Sequence, residues 1–145
     1  SESNLSMDDN NDLDVFSLTV VGATELDVTV SPTGSTYLAG PQNGDGSCSA
    51  GSSFNSLIVQ DLGVRVIAPN GSTELAEADE HGVGQSESLS GVALAGAGTY
   101  FVEVTGDAAD SVQLYDIVLT VSSSDSLFSD GFESTDTSGW SSAVP

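Results

Sequence analysis

GAGTYFVEVTG, residues 96–106, shows most clearly which class of fold this sequence encodes. Small residues typical of a turn come first, and Tyr100, Val102 and Val104 then alternate with Phe101 and Glu103. Successive side chains of a strand point to opposite faces, so an apolar residue at every second position indicates a β-strand with one buried face. The stretch therefore predicts a strand over residues 99–105.

The same alternation recurs along most of the chain. It appears in residues 16–20 and 26–30, which a short turn joins as a hairpin, and again in residues 62–66 and 114–121. Shorter strands are expected around residues 73–76 and 89–94, and no segment shows a helical period of useful length. These patterns predict an all-β protein, an antiparallel β-sandwich of jelly-roll type with seven or eight strands.

Composition divides the chain into three parts. Residues 1–14 are polar and acidic and are predicted to form an N-terminal linker or cap. The β-sandwich domain is expected over residues 15–121, interrupted by a long Gly/Ser loop at residues 39–56. Such a loop has a composition unsuited to a regular element, and loops of that length are usually functional or disordered. Residues 122–145 form a Ser/Asp-rich C-terminal tail.

Charge limits the partners of this protein. The chain has 22 Asp and Glu residues against one Lys or Arg, which gives a formal net charge of −21. Nucleic-acid binding needs many Lys and Arg side chains, and an anionic membrane surface would repel the chain. No run of apolar residues is long enough for a transmembrane helix, so we expect no membrane insertion. Self-repulsion at this charge requires screening by salt or by bound cations, and a merely solubilising surface is the alternative.

The chain lacks the residue types on which most enzymes depend. His81 is the only histidine, and no Ser lies in a strained nucleophile elbow that His81 and Glu80 would activate. Cys48 is the only cysteine, which rules out an intrachain disulfide and a cysteine-based zinc cluster. The sequence therefore predicts a protein that is not an enzyme.

Five segments together resemble a bacterial pre-peptidase C-terminal domain over about residues 12–121. They are DLDVFSLTV, ELDVTVSPTG, LGVRVIAPNGSTELAEAD, GAGTYFVEVTG and VQLYDIVLTV, in that order. The resemblance implies a non-catalytic β-sandwich attached to a secreted bacterial protease, including metallopeptidases. Similar collagen-binding domains of clostridial collagenases bind calcium through acidic residues of an N-terminal linker.

The resemblance and the residue chemistry both suggest calcium. Calcium prefers six to eight oxygen ligands, which carboxylates and amides in a flexible segment can supply. The segment DDNNDLD, residues 8–14, corresponds to the family's linker, and the segment around residues 79–87 offers a second acidic patch. The alternative for both segments is a solvated, charged surface. The candidate metal ligands are Asp8, Asp9, Asp12, Asp14, Asp79, Glu80 and Glu87.

The resulting prediction is a secreted, extracellular and non-catalytic accessory module of a bacterial hydrolase, with a peptidase as the expected parent. Its partners would be calcium, the parent protease and a polymeric substrate. The alternative is a self-assembling subunit of an extracellular fibre or surface layer, a homo-oligomer or filament held by edge strands, terminal segments and cations. Aromatic rings outside the predicted strands are candidates for assembly or ligand contact. They are Tyr37, Phe54, Phe128, Phe132 and Trp140.

Overall fold

The computed structural model describes residues 1–8, 11–47, 51–107 and 111–123. Within these ranges the chain forms ten strands and no helix, so no helix that could cross a membrane is found there. The strands are β1 (Glu2–Met7), β2 (Leu13–Val20), β3 (Thr24–Thr33), β4 (Thr36–Ala39), β5 (Ser52–Asn55), β6 (Leu62–Ile67), β7 (Glu74–Ala78), β8 (Glu87–Leu94), β9 (Gly98–Gly106) and β10 (Gln113–Ser123).

Eight of these strands build two antiparallel four-stranded sheets. The first sheet has the order β1-β10-β3-β8, and the second has the order β2-β9-β6-β7. The pairs β1·β10, β2·β9, β3·β8 and β6·β7 are nested, so the chain runs as one long hairpin wrapped into two sheets. This nesting is the topology of a jelly roll. The predicted all-β antiparallel sandwich is confirmed, and the eight strands of its two sheets agree with the predicted number.

The apolar positions of the alternating pattern meet between the two sheets. In β9, Tyr100, Val102 and Val104 are buried, while Phe101 and Glu103 of the opposite face are only partly covered. All eight strands of the two sheets contribute buried residues to one hydrophobic cluster. Its largest fully buried apolar side chains are Tyr115, Met7, Leu26, Leu62, Leu94 and Ile117.

The structure corrects two of the predicted segment boundaries. Residues 2–7 are not a linker or cap but the edge strand β1, and Met7 is completely buried. Within the predicted loop at residues 39–56, Ser52–Asn55 forms β5, which pairs with Thr36–Ala39 in a separate two-stranded sheet. The tail from residue 124 onward lies outside the described residues.

Candidate functional site

Most of the predicted metal ligands lie at one end of the sandwich. The chain segments that join β1 to β2, β3 to β6, β7 to β8 and β9 to β10 all lie at the same end of the sandwich. The residue pairs at this end include Met7↔Gln113, Leu13↔Thr105 and Leu62↔Gly106. We call this region the acidic end. Apart from Asp45 in the β4–β5 connection, the described carboxylates of this end are Asp8, Asp12, Asp14, Asp61, Asp79, Glu80, Glu87 and Asp107.

The opposite end of the sandwich has no acidic residue in its turns. Residues 21–23, 68–73 and 95–97 connect the strands there, with the sequences VGA, APNGST and AGA. We call this region the neutral end. The charge of the described chain is thus distributed unevenly along the strand direction.

Asp61 is at the centre of the electrostatic interactions of the acidic end. Its backbone N–H donates to Asp107 Oδ1 at 2.9 Å. Burial, followed by repulsion from Asp107, Asp79 and Glu87, raises the pKa of the Asp61 carboxyl above its usual value. Asp61 directly precedes β6, and Asp107 directly follows β9. Neither residue was among the predicted metal ligands. Combining the strand order of a jelly roll with the positions of the acidic residues would have revealed both.

Glu87 has a structural partner. It is 1% exposed, and its Oε1 accepts the backbone N–H of His81 at 2.6 Å and lies 3.2 Å from His81 Nδ1. These contacts close the loop between β7 and β8. The structure therefore places the only histidine against Glu87, whereas Glu80 is exposed beside it in the chain.

The N-terminal candidates occupy the edge of the acidic end. The Asp8 backbone N–H donates to Asp12 Oδ2 at 3.1 Å, which closes the turn between β1 and β2. Asp14 lies within β2, and its Oδ2 accepts a 2.5 Å hydrogen bond from the buried Tyr115 hydroxyl. Burial, this hydrogen bond and the charges of Asp14 and Asp12 raise the pKa of Tyr115. Asp9 lies outside the described residues.

The oxygen donors needed for a calcium site are present at the acidic end, but their side chains do not converge on one point. Among the residues that the structure describes, no group of three His, Cys, Asp or Glu side chains is arranged to hold a metal ion. One further oxygen is notable, because Gln60 is completely buried and its Oε1 has no hydrogen-bond partner there. The Gln60 amide nitrogen donates to the carbonyls of Met7 and Ser111, and Oε1 lies against Gly106, next to Asp107.

The predicted contact aromatics form an exposed pair on the hairpin of β4 and β5. The rings of Tyr37 and Phe54 meet edge to face with their centroids 5.4 Å apart. Leu38 and Ile58 are also more than half exposed in the same segment. The other predicted contact residues, Phe128, Phe132 and Trp140, lie outside the described residues.

Arg65 already forms an ion pair. Arg65 Nε lies 2.5 Å from Glu103 Oε2 on the outer face of the second sheet. The only Lys or Arg side chain of the chain is therefore engaged in a structural ion pair.

Comparison with known proteins adds no family to this picture. No family model, curated protein or solved structure matches the chain. The resemblance to the pre-peptidase C-terminal domain therefore stays a prediction.

Proposed function

We propose that this protein is a non-catalytic extracellular accessory module of a secreted bacterial hydrolase, with a peptidase as its parent, and that calcium binds at its acidic end. The single observation that carries the calcium proposal is the accumulation of carboxylates around Asp61. Burial, followed by repulsion from Asp107, Asp79 and Glu87, raises the pKa of Asp61 above its usual value.

A divalent cation would remove this repulsion. Calcium accepts carboxylate, amide and backbone oxygens at variable distances, so small movements of exposed connections suffice to complete its shell. Asp61, Asp79 and Asp107 lie in such connections, outside the strands. The buried amide oxygen of Gln60 provides an additional neutral donor beside them. The proposed role of calcium is to fix the loops of the acidic end to the sandwich.

The hairpin of β4 and β5 is the proposed contact with a polymeric substrate. Tyr37 and Phe54 are exposed aromatic rings in edge-to-face contact, and exposed rings of this kind stack on the apolar faces of extended polymers. The hairpin follows directly after β3 at the acidic end. Calcium that orders the neighbouring connections would therefore also stabilise the base of this surface.

The test is a calcium titration of the purified chain by isothermal calorimetry together with thermal unfolding. We expect saturable binding and a rise in melting temperature, since a ligand at 100 times its dissociation constant adds about 2.7 kcal/mol to the free energy of unfolding. The double variant Asp61→Asn/Asp79→Asn should bind calcium at least about tenfold more weakly, a loss of about 1.4 kcal/mol.

Two controls separate a site from general screening. Glu25→Gln/Glu74→Gln removes the same two charges from exposed positions near the neutral end and should retain wild-type affinity. Sodium chloride at matched ionic strength should give no saturable heat. Equal losses in both double variants, or a calcium effect that sodium reproduces, would refute a calcium site at the acidic end.

A further inference from the structure

The four edge strands of the sandwich differ in how well they are protected from further pairing. In β1 the register with β10 shifts between Glu2 and Leu5, and Asn4 has a φ of 55°. In β8 the register with β3 shifts, and Gly91 has a φ of 64°. The edge strand β7 has only five residues, two of them glutamates, and an irregular register with β6. Bulges, short length and charge are the features that keep edge strands from pairing with other chains.

The fourth edge strand, β2, has a regular backbone. All eight residues pair with β9 in an unbroken register from Leu13↔Thr105 to Val20↔Gly98. Among the residues that the structure describes, β9 is the only backbone partner of β2. Its other side therefore offers a straight row of backbone donors and acceptors.

The side chains of β2 suit a protein partner better than solvent. Its outward face carries Leu13, Val15, Ser17 and Thr19, none of them charged, in a chain of net charge −21. Leu13 is 42% exposed and Val15 is 52% exposed. Val21, which directly follows the strand, is 97% exposed. The other three edge strands are protected from pairing by bulges, short length or charge. The outward face of β2 has none of these features and is uncharged and partly apolar.

We propose that a second copy of this chain pairs with β2, strand against strand and antiparallel, around a two-fold axis at Ser17. Two residues that face each other across an antiparallel pair have their side chains on the same side of the sheet. The two-fold axis must therefore lie at a residue position along the strand and not between two residues. With the axis at Ser17, Leu13 faces Val21 of the second copy and Val15 faces Thr19. On the inner side Phe16 faces Leu18, and both of these side chains are only partly buried in the single chain.

The charge distribution favours this arrangement. Antiparallel pairing along β2 places the acidic end of one copy beside the neutral end of the other, so the two concentrations of carboxylates stay far apart. The only charged side chain of β2 is Asp14, which bonds to Tyr115 and would face Val20 of the second copy. Like charges directly opposite each other destabilise a strand pair, and in this register no two carboxylates of β2 face one another.

The proposed interface closes at two copies. A two-fold contact uses the same surface on both chains, which leaves no second β2 edge for a third copy. Growth into a filament would need another interface, and the remaining edges carry bulges or glutamates. Asp14 is the only carboxylate of the acidic end that lies in the paired strands. The dimer therefore does not depend on calcium.

The first experiment is sedimentation over a range of protein concentrations, in a chelator and about 150 mM salt, which limits the range of charge repulsion to about 8 Å. We expect a reversible monomer–dimer equilibrium. Ser17→Asp places two carboxylates opposite each other on the axis and should raise the dimer dissociation constant at least about tenfold. The matched control is Ser53→Asp in the exposed strand β5, which adds the same charge and should leave the equilibrium unchanged.

A second experiment tests the register. Directly opposed residues in an antiparallel pair have Cα atoms about 4.5–5.5 Å apart, within the range that a disulfide spans. In a Cys48→Ser background, Ser17→Cys should cross-link into dimers under mild oxidation, and Ser53→Cys should not. The proposal is overturned if the wild type is monomeric at all concentrations, if it forms larger polymers, or if the two cysteine variants cross-link equally.

Discussion

Tyr115 connects the two sheets of the sandwich at the side where β1 and β2 form its edges. Its ring is fully buried in the core from β10, and its hydroxyl donates to Asp14 in β2. A hydrogen bond to a charged group contributes about 1.5–3 kcal/mol to stability. Tyr115→Phe removes the donor and should lower the free energy of unfolding by about that amount, measured by chemical denaturation. Tyr37→Phe, on the exposed hairpin, is the control and should change it by less than about 0.5 kcal/mol.

The same residue gives the wild type an alkaline limit. Burial and the neighbouring carboxylates raise the pKa of Tyr115 in the folded chain, whereas in the unfolded chain the pKa returns to about 10. A raised pKa in the folded state means that stability is fully present below the unfolded pKa and is lost as the pH rises beyond it. The advantage of the wild type over Tyr115→Phe should therefore shrink above about pH 10. An advantage that is constant across this range would contradict the role assigned to the hydroxyl.

At the scale of elements, Gln113 is the residue that attaches the β4–β5 hairpin to the sandwich. Its Oε1 accepts the backbone N–H of Val59 at 3.0 Å, and its Nε2 donates to the carbonyls of Ser56 and Thr33, each at 3.1 Å. Gln113 is completely buried, so replacing it leaves these backbone groups without a partner. Gln113→Met should reduce the free energy of unfolding by about 3 kcal/mol, since each buried unsatisfied group costs about 1–3 kcal/mol.

Hydrogen exchange gives a local measure of the same prediction. The backbone amide hydrogen of Val59 should exchange faster in Gln113→Met, because this amide loses its acceptor. The increase in its exchange rate should be larger than the increase that the lower global stability alone would cause. Gln85→Met makes the same chemical change in an exposed loop and serves as the matched control, with an expected effect below about 0.5 kcal/mol. Unchanged exchange at Val59 in Gln113→Met would show that another group holds the hairpin.

The elements that the sequence predicts well are those with three or more alternating apolar residues. Strands β2, β3, β6, β9 and β10 belong to this class, and the structure confirms them. In β1 only Leu5 and Met7 are large and apolar, so the short pattern does not separate a strand from a linker. In β4 and β5 the burial pattern is almost entirely exposed, because this hairpin packs outside the two sheets. Its attachment to the sandwich includes the long-range hydrogen bonds of Gln113, which a local pattern cannot reveal.

Across the described part of the molecule, the uneven charge follows from the topology rather than from any single segment. The sequence places Asp8 and Asp12 in one stretch and Asp79 and Glu87 in another, and only the nested strand order brings the two stretches to the same end. Asp61 escapes a search for acidic segments because its neighbours along the chain are Gln60 and Leu62. Its acidic neighbours are near in space and 18 or more residues away in sequence. Fold class was thus within reach of the sequence, whereas the composition of the acidic end required the three-dimensional arrangement.

This charge distribution predicts how stability responds to pH and salt. The raised pKa of Asp61 means that its ionisation opposes folding at neutral pH, and that this penalty disappears as the pH falls below the pKa of an unfolded aspartate. Asp61→Asn should therefore be more stable than the wild type at pH 7, by about 0.5 kcal/mol because solvent screens a partly exposed group. The difference should shrink towards about pH 3.9, where the unfolded carboxyl also becomes protonated.

Salt should act in the same direction as acid. Raising the ionic strength from about 0.01 M to 1 M shortens the screening distance from about 30 Å to 3 Å, which weakens the repulsion of Asp61 by its neighbours. In thermal unfolding with a chelator present, the advantage of Asp61→Asn should thus be largest in low salt at pH 7. Glu25→Gln, which removes one charge close to the neutral end, should give a smaller advantage under every condition. If both substitutions stabilise equally, the net charge of −21, and not its concentration at one end, sets the electrostatic cost of folding.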